Sequence, residues 1–210
     1  MTVDPHPIRI LVVDDHTILR EGVASMIAPE PDMAVVGEAT NGAEAVEAFR
    51  RLRPDVTLLD LQMPVMNGLD ALVRIREEFP NGRIVVLTTY EGDAKAVRAL
   101  KAGASGYLLK SSLRKELIDA IRIVHAGRRF VFADVAQDIA IHAAEDPLSD
   151  REAAVLQLVA EGKANKAIAH ALSLSEDTIK AHLRSIFSKL EVADRTQAVT
   201  TALRRGIITL

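Results

Sequence analysis

The first 125 residues alternate short apolar runs with longer segments in which apolar residues recur at helical spacing. The short runs are rich in Val, Ile and Leu, as in strands buried on both faces of a parallel sheet. They predict strands at 8–13, 33–38, 56–59, 84–87 and 106–109. The longer segments predict helices at 16–27, 42–52, 68–78, 93–102 and 112–125. This alternation predicts an open, doubly wound α/β fold with five parallel strands.

The pattern changes after Gly127. We interpret 127–147 as a linker between a domain at 1–126 and a second domain at 148–210. Within it, 128–132 predicts a short extended piece and 133–144 a helix. The second domain has helical periodicity throughout, which predicts an all-α fold. Ser149, followed three residues later by Glu152, predicts a capping box at the start of its first helix.

Composition and charge narrow the possible functions. The chain has no cysteine, which excludes disulfides, thiolate metal sites and a cysteine nucleophile. It has no apolar run near the roughly 20 residues that span a bilayer and no secretory signal pattern, so we expect a cytoplasmic protein without a membrane partner. The first 147 residues carry 17 basic against 22 acidic residues, and the remainder 9 against 7. This asymmetry suggests that the first part binds cations and the second nucleic acid.

Polar residues stand where four predicted strands end: Asp14 and Asp15, Asp60, Thr88, and Lys110. Ligands of open parallel sheets bind outside the carboxyl ends of the strands. Three carboxylates converging there favour a hard divalent cation such as Mg²⁺. Asp60 could then attack phosphorus, while Thr88 and Lys110 bind the phosphoryl oxygens. Each residue alone would be a helix cap, a turn former or a solvated charge; the set predicts phosphoryl transfer.

Four stretches carry a family resemblance: Ile-Leu-Val-Val-Asp-Asp-His at 10–16, Leu-Leu-Asp-Leu-Gln-Met-Pro-Val-Met-Asn-Gly at 58–68, Val-Leu-Thr-Thr at 86–89 and Ala-Gly-Ala-Ser-Gly-Tyr-Leu-Leu-Lys at 102–110. With them, residues 8–125 resemble the response-regulator receiver domain of two-component signalling. The resemblance implies the strand order 2-1-3-4-5 and phosphorylation of Asp60 by a histidine kinase. The implied site comprises Mg²⁺ ligands at Asp14, Asp15, Asp60 and the Gln62 backbone carbonyl, a phosphate partner at Lys110, and a switch made by Thr88 and Tyr107.

Two further features concern this site. Ser111 follows Lys110 where many receivers have proline, which allows the last helix to start at Ser112. Gln62 and Tyr90 each lie two residues beyond a key position. We predict that they flank the path of the hydrolytic water and that the bulk of Tyr90 slows loss of the phosphoryl group.

In the second domain, a short helix at 165–172 is joined through 173–175 to a longer amphipathic helix. Ser175 is a suitable N-cap for the longer helix. One arc of that helix is apolar (Ile179, Leu183, Ile186, Phe187 and Leu190), and the opposite arc carries Lys180, Ala181, Arg184, Ser185 and Ser188. The pair predicts a helix-turn-helix whose second helix enters the major groove. The alternative is a small bundle with a solvated basic face.

Further stretches favour the DNA-binding interpretation, among them Leu-Ser-Asp-Arg-Glu at 148–152, Gly-Lys-Ala-Asn-Lys-Ala-Ile-Ala at 162–169 and Thr-Ile-Lys-Ala-His at 178–182. With them, 147–208 resembles the four-helix LuxR-type DNA-binding domain, and the whole chain resembles a response regulator of the NarL/FixJ class. The resemblance implies base contacts by Lys180, Ala181 and Arg184. Plausible contacts to the DNA backbone are Thr178, Asn165, Lys166, Lys189 and Arg195.

The last predicted helix, at 195–205, carries Ala198, Val199, Ala202 and Leu203 on one side. The resemblance implies that this helix forms a homodimer on two half-sites of double-stranded DNA. The alternative is that these small apolar residues close the domain core.

The leading hypothesis is a transcription regulator, not an enzyme, in which phosphorylation of Asp60 controls dimerisation and sequence-specific DNA binding. One alternative is a receiver that is never phosphorylated and acts as an interaction module for the same DNA-binding domain. Another is a phosphatase with an aspartyl-phosphate intermediate. Such enzymes place a general acid two residues beyond the nucleophile, and Gln62 occupies that position here, which argues against turnover.

Overall fold

A computed structural model of the chain describes residues 6–89, 93–131, 136 and 148–208, apart from the side chains of 93–95. In its first unit, strands and helices alternate as the sequence predicts. The strands are β1 (Ile8–Val13), β2 (Met33–Ala39), β3 (Val56–Asp60), β4 (Ile84–Thr88), β5 (Gly106–Leu109) and β6 (Phe130–Val131). The helices are α1 (Thr17–Ile27), α2 (Gly42–Leu52), α3 (Gly68–Glu78), α4 (Asp93–Lys101) and α5 (Leu113–His125).

All strands of this sheet are parallel, in the order β2-β1-β3-β4-β5-β6. The first five therefore follow the order 2-1-3-4-5 that the family resemblance implies. The central strands β3 and β4 are buried along their whole length, which explains their lack of polar alternation. Apolar residues of α1 and α5, including Val23, Ile27 and Ile121, pack with Ile10 and Leu58 in one core.

The sheet has one strand more than the sequence predicts. Phe130–Val131, within the segment interpreted as a linker, pairs with Gly106 and Tyr107 of β5. The Phe130 amide donates to the carbonyl of Ser105, and its side chain packs against the core, which explains why the chain returns to the sheet after α5. The helix predicted at 133–144 lies outside the described residues, apart from Ala136.

The last helix of this unit begins one residue later than predicted. Lys110–Ser112 forms a single 3-10 turn, and α5 starts at Leu113. Such a turn is common at a helix N-terminus. It places Lys110 at the junction of β5 and α5, at the carboxyl edge of the sheet.

The second unit is helical, with α6 (Asp150–Ala160), α7 (Asn165–Leu172), α8 (Glu176–Lys189) and α9 (Arg195–Arg204). The predicted capping box is confirmed: Ser149 and Glu152 bond reciprocally at the start of α6. Ser175 caps α8 by accepting a hydrogen bond from the Thr178 amide at 3.0 Å. Among the described residues, no helix is both long and apolar enough to cross a membrane.

Candidate functional site

Three predicted site residues meet at the carboxyl edge of the parallel sheet. Lys110 Nζ lies 2.6 Å from Asp14 Oδ2 and 2.9 Å from Asp60 Oδ2. Both carboxylates are buried and the lysine side chain is only 11 % exposed. Because β1, β3 and β5 are parallel, the residues at their ends project into the same place although they are far apart in the chain. The pocket therefore holds two buried carboxylates and one cation.

Burial and charge shift the protonation equilibria of this pocket. Burial raises the pKa of Asp60, and the negative charge of Asp14 adds to this rise, while contact with Lys110 opposes it. Burial lowers the pKa of Lys110, but the contacts with Asp14 and Asp60 outweigh it and leave that pKa above its ordinary value. Lys110 therefore stays positively charged, and any additional positive charge near Asp60 would further stabilise its ionised carboxylate.

The acidic residues fit a divalent metal ion. Asp14, Asp15, His16 and Asp60 each offer a ligand atom, and these atoms all lie within 4.8 Å of one another. The buried Oδ2 atoms of Asp14 and Asp60 receive no hydrogen bond from the described residues and contact Lys110 only as ion pairs. Carboxylate oxygens without a donor are suitable ligands for Mg²⁺. The pocket is thus chemically compatible with a metal.

His16 belongs to this cluster, and the sequence analysis did not single it out. Its Nδ1 lies 2.8 Å from Asp15 Oδ1 and 3.1 Å from Asp14 Oδ1. Its backbone amide also donates to Asp14 Oδ1 at 2.9 Å. The only sequence signal was its place directly after the two aspartates at a strand end, which is equally the ordinary place of a loop residue.

The chain after Asp60 is held by close backbone packing. A Cβ at Gly68 would collide with the Asp60 carbonyl oxygen, so the close approach requires glycine. Asn67 caps α3 by accepting from the Asp70 amide at 2.9 Å, and Gly68 donates to the Leu61 carbonyl. The backbone N–H of Gln62 donates a hydrogen bond to the Asp60 carboxylate, and this bond lowers the pKa of Asp60. Metal binding by the Gln62 carbonyl stays a prediction.

The two predicted switch residues lie on neighbouring strands. Thr88 ends β4 and is buried, and Tyr107 on β5 is fully buried. Burial raises the pKa of Tyr107 to about 12, and the Thr88 side chain opposes that shift. The Tyr107 hydroxyl forms no well-aligned hydrogen bond with the described residues. A buried hydroxyl without a good partner costs about 1–3 kcal/mol, which brings an alternative outward position closer in free energy. Tyr90 lies outside the described residues.

Helix α8 separates an apolar face from an exposed polar one, as predicted. Ile179, Leu183 and Ile186 are buried in the core of the helical unit. Lys180, Ala181 and Arg184 are exposed. The Lys180 ammonium pairs with Asp177 at 3.0 Å, an exposed contact that costs little to exchange for another anion. The three residues predicted to contact bases therefore share one accessible surface.

Some of the residues that are predicted to contact the DNA backbone already form hydrogen bonds or ion pairs within the domain. Lys189 Nζ lies 3.1 Å from Glu152 Oε2, so it links α8 to the start of α6. Arg195 donates to the Lys163 carbonyl and to Asn165 Oδ1, which joins α9 to α7. The Thr178 hydroxyl bonds to Ser175 Oγ, and Lys166 is exposed. The sequence pattern could not show the structural roles of Lys189 and Arg195, because their partners lie 30 or more residues away in the chain.

The buried Glu152 is the polar centre of this domain. It accepts from the Ser149 amide at 2.8 Å, from Ser185 Oγ at 2.6 Å and from Lys189. Burial raises its pKa, but these bonds outweigh that effect and lower the pKa to about 2. The capping residue predicted from the local motif thus also fastens α6 to α8.

The apolar side of α9 is divided between two environments. Ala198 and Ala202 are fully buried in the domain core. Val199 and Leu203 pack against that core but remain partly exposed. The small residues therefore close the core, and Val199 and Leu203 are the apolar residues on this side of α9 that remain partly exposed.

Comparison with known proteins identifies both units. The family model "Response regulator receiver domain" matches residues 10–122, and the model "Bacterial regulatory proteins, luxR family" matches residues 146–202. The transcriptional regulatory protein LiaR of Bacillus subtilis is 40 % identical over 209 residues, which cover 96 % of this chain and 99 % of LiaR. The response regulator VraR of Staphylococcus saprophyticus is 36 % identical over 207 residues, with 96 % and 99 % covered.

A solved structure of an RcsB–DNA complex resembles the chain with a TM-score of 0.72 and 26 % identity, over 95 % of this chain and 99 % of that one. The relatives are transcriptional regulators, which places this protein among regulators and not among phosphatases. The family implies a kinase partner for the first unit and DNA binding for the second. The chain belongs to the response regulators that join a receiver domain to a LuxR-type helix-turn-helix domain.

Proposed function

We propose that this protein is a transcription regulator controlled by transfer of a phosphoryl group from a histidine kinase to Asp60. The observation that carries the proposal is the contact of Lys110 with both Asp14 and Asp60 in one buried pocket. A helix-turn-helix with an exposed basic face lies on the same chain. A phosphorylation site and a DNA-binding surface in one polypeptide suit a signal-controlled regulator.

The chemistry follows from the positions of three side chains. A carboxylate oxygen of Asp60 attacks phosphorus, the new O–P bond forms, and the N–P bond of the donor phosphohistidine breaks, leaving the imidazole to take up a proton. Lys110 then pairs with the phosphoryl oxygens, and Thr88 donates its hydroxyl to one of them. Mg²⁺, held by Asp14, Asp15, Asp60 and the Gln62 carbonyl, would supply the positive charge that offsets the charge on the phosphoryl oxygens.

In this proposal, Thr88 and Tyr107 transmit the phosphorylation state of Asp60 to the surface of the receiver. Movement of Thr88 toward the phosphoryl group changes the space beside Tyr107, whose buried hydroxyl is poorly satisfied. The side chains on the surface formed by α4 and β5 then change from one packing arrangement to another. Phosphorylation thereby promotes dimerisation or frees the DNA-binding helices.

The DNA-binding step uses the exposed face of α8. Lys180, Ala181 and Arg184 contact base edges in the major groove, and Thr178, Asn165, Lys166, Lys189 and Arg195 contact the DNA backbone. Two copies of the chain bind two half-sites through Val199 and Leu203 of α9. The resemblance to RcsB, whose structure is known bound to DNA, supports the DNA-binding step of this proposal.

The domain organisation that serves this function is a receiver at 1–126 and a DNA-binding domain at 148–210, joined by the segment 127–147. Because β6 (Phe130–Val131) belongs to the receiver sheet, only the part of this segment that follows β6 acts as the linker. The family models, at 10–122 and 146–202, lie in the two domains with little overlap into the linker. The protein acts in the cytoplasm, where a kinase and promoter DNA are both accessible.

Intact-mass measurement after incubation with a small phosphodonor and Mg²⁺ tests the proposal. We expect the parent to gain one phosphoryl group and Asp60→Ala to gain none. The control variant Asp70→Asn, which changes an exposed carboxylate on α3, should gain it like the parent. A folded parent without mass gain would instead support the unphosphorylated interaction module.

A further inference from the structure

The opposite edge of the receiver sheet carries a concentration of positive charge. A cleft of about 330 Å³ opens between the ends of α3 and α5 and the starts of β4, β5 and β6. Among the residues that the structure describes, four arginines line it, Arg76, Arg83, Arg128 and Arg129, and no acidic residue does. The part of the chain that contains this cleft has more acidic than basic residues, so the cleft is a local reversal of charge.

These arginines are not balanced by anionic partners of their own. None of the four forms an ion pair with the described parts of the chain. Positive charges that line one cleft favour the binding of an anion among them. Elsewhere on the same unit, Arg50 and Arg122 each pair with two carboxylates, so these two arginines already have the anionic partners that the cleft arginines lack among the described residues.

Helix dipoles explain only part of the cluster. The carboxyl ends of α3 and α5 lie at this edge, and cations near such ends are favourable. Arg76 instead donates to the Gly82 carbonyl, in the loop between α3 and β4, at 3.2 Å. The guanidinium groups of Arg83, Arg128 and Arg129 donate no hydrogen bond to any residue that the structure describes. No described residue therefore competes with a ligand for these donors.

One of the arginines is fixed in place before any ligand binds. Arg76 is partly buried, and its guanidinium packs over Gly103, where a Cβ would lie only 2.7 Å from Nε. Gly103 has a φ of +99°, which other residues rarely adopt, and it leaves the space that Arg76 fills. A side chain already held in position loses little conformational entropy on binding, which favours affinity.

We propose that this cleft binds a small soluble anion that carries two or more phosphoryl groups. Guanidinium groups match phosphate oxygens through paired, charge-assisted hydrogen bonds. The side chains of Asn81 and Ser105 add neutral hydrogen-bonding groups. The apolar lining is limited to Pro80 and Val124, too little to hold a large hydrophobic ligand, while the volume suits a small molecule. The site is distinct from Asp60, which lies at the other edge of the sheet.

Calorimetric titration of the full chain with pyrophosphate, in a metal-free buffer of low ionic strength, tests this site. We expect saturable binding by the parent, and weakening by about tenfold in Arg83→Gln and again in Arg129→Gln, because each loses a charge-assisted contact. Arg51→Gln removes the same charge from an exposed position on α2 and should bind like the parent. Inorganic phosphate should bind more weakly than pyrophosphate.

The DNA-binding domain also attracts anions, so Arg184→Gln is a second control. Unchanged pyrophosphate affinity in Arg184→Gln supports binding at the receiver cleft. A loss of pyrophosphate affinity in this variant would instead place the anion on α8 and overturn the proposal. Absence of binding by the parent, or equal losses in Arg51→Gln and Arg83→Gln, also overturns it. The proposal is also overturned if Arg83→Gln keeps the parent's affinity for pyrophosphate but loses affinity for DNA. None of these results depends on phosphorylation of Asp60, so the two proposals fail separately.

Discussion

The Lys110 ammonium lies 2.9 Å from Asp60 Oδ2 and is at the same time the cation nearest the fully buried Asp14, at 2.6 Å. A single positive charge thus balances two carboxylates at the end of the sheet. When both buried acids are ionised, Lys110 offsets only one of their two negative charges, and the neighbouring Asp15 adds a third carboxylate. The site is therefore short of positive charge, which a divalent cation would supply before a phosphoryl group adds further negative charge at Asp60.

Replacing Lys110 with methionine should destabilise the receiver unit. The change leaves two buried carboxylates without a counter-charge, and breaking a buried ion pair costs about 3–5 kcal/mol. Thermal unfolding should show a lower Tm, and added Mg²⁺ should restore more stability to the variant than to the parent. Lys115→Met, at an exposed position on α5, is the matched control and should change neither quantity. Equal effects of Mg²⁺ on parent and Lys110→Met would contradict this account of the pocket.

Gly68→Ala should impair the site without altering any polar side chain. The new Cβ collides with the Asp60 carbonyl, so α3 and the backbone after Asp60 must move. We expect a loss of about 2 kcal/mol or more in stability and slower phosphorylation of Asp60, measured by thermal unfolding and intact mass. Gly22→Ala in α1 meets nothing within 4 Å and should instead gain roughly 0.5–1 kcal/mol. Parent-like phosphorylation of Gly68→Ala would show that the backbone geometry is not needed.

The stability of the helical domain should fall in acid because of Glu152. Its pKa is about 2 in the folded domain, against 4.5 for an ordinary glutamate, so the folded state favours the charged form. The resulting stabilisation is complete above pH 4.5 and is lost as the pH falls from 4.5 toward 2. A difference of that size corresponds to about 3 kcal/mol. Hydrogen exchange of the α6 and α8 amides measures it without interference from the receiver.

The control for this effect is a change of charge elsewhere in the domain. Glu152→Gln should be less stable than the parent at neutral pH and should lose most of the pH dependence between 4.5 and 2. Glu161→Gln, which removes an exposed pair with Lys163, should retain it. An acid transition in α6 and α8 that persists in Glu152→Gln would assign the effect to another group.

Two basic residues of α8 should differ when replaced with alanine. Arg184 is exposed, so Arg184→Ala should weaken DNA binding by about 1–3 kcal/mol and leave the Tm unchanged. Lys189 pairs with the buried Glu152, so Lys189→Ala should lower the Tm as well as DNA affinity. Fluorescence anisotropy with a promoter duplex and thermal unfolding separate the two effects. A Lys189→Ala variant with the parent's Tm would show that the pair with Glu152 is dispensable.

The sequence predicted the architecture well where local patterns determine it. The central strands β3 and β4 are buried along their whole length and appear as predominantly apolar runs, and the ends of the five predicted strands lie within one residue of the structure. The Ser149–Glu152 capping box depends on a spacing of three residues and was equally readable. The pocket was predictable because parallel strands bring their carboxyl ends to one edge.

What the sequence left out depends on contacts between distant residues. β6 has only two residues, too few for a periodic signal, and forms because Phe130 finds the edge of β5. His16 joins the acidic cluster through the conformation of its loop. Arg195 was predicted as a DNA contact from the family resemblance, which gave no sign of its bond to the Lys163 carbonyl, 32 residues away in the chain. Such partners are fixed by tertiary packing, which no local pattern records.

The central claim is that the state of Asp60 controls binding of DNA by α8. The most direct measurement is the affinity of one protein sample for a promoter duplex before and after treatment with a small phosphodonor and Mg²⁺, with Asp60→Asn treated in parallel. The account predicts that affinity changes in the parent in step with the gain of one phosphoryl mass, and stays constant in the variant. An affinity that is the same for the phosphorylated and unphosphorylated parent would contradict it.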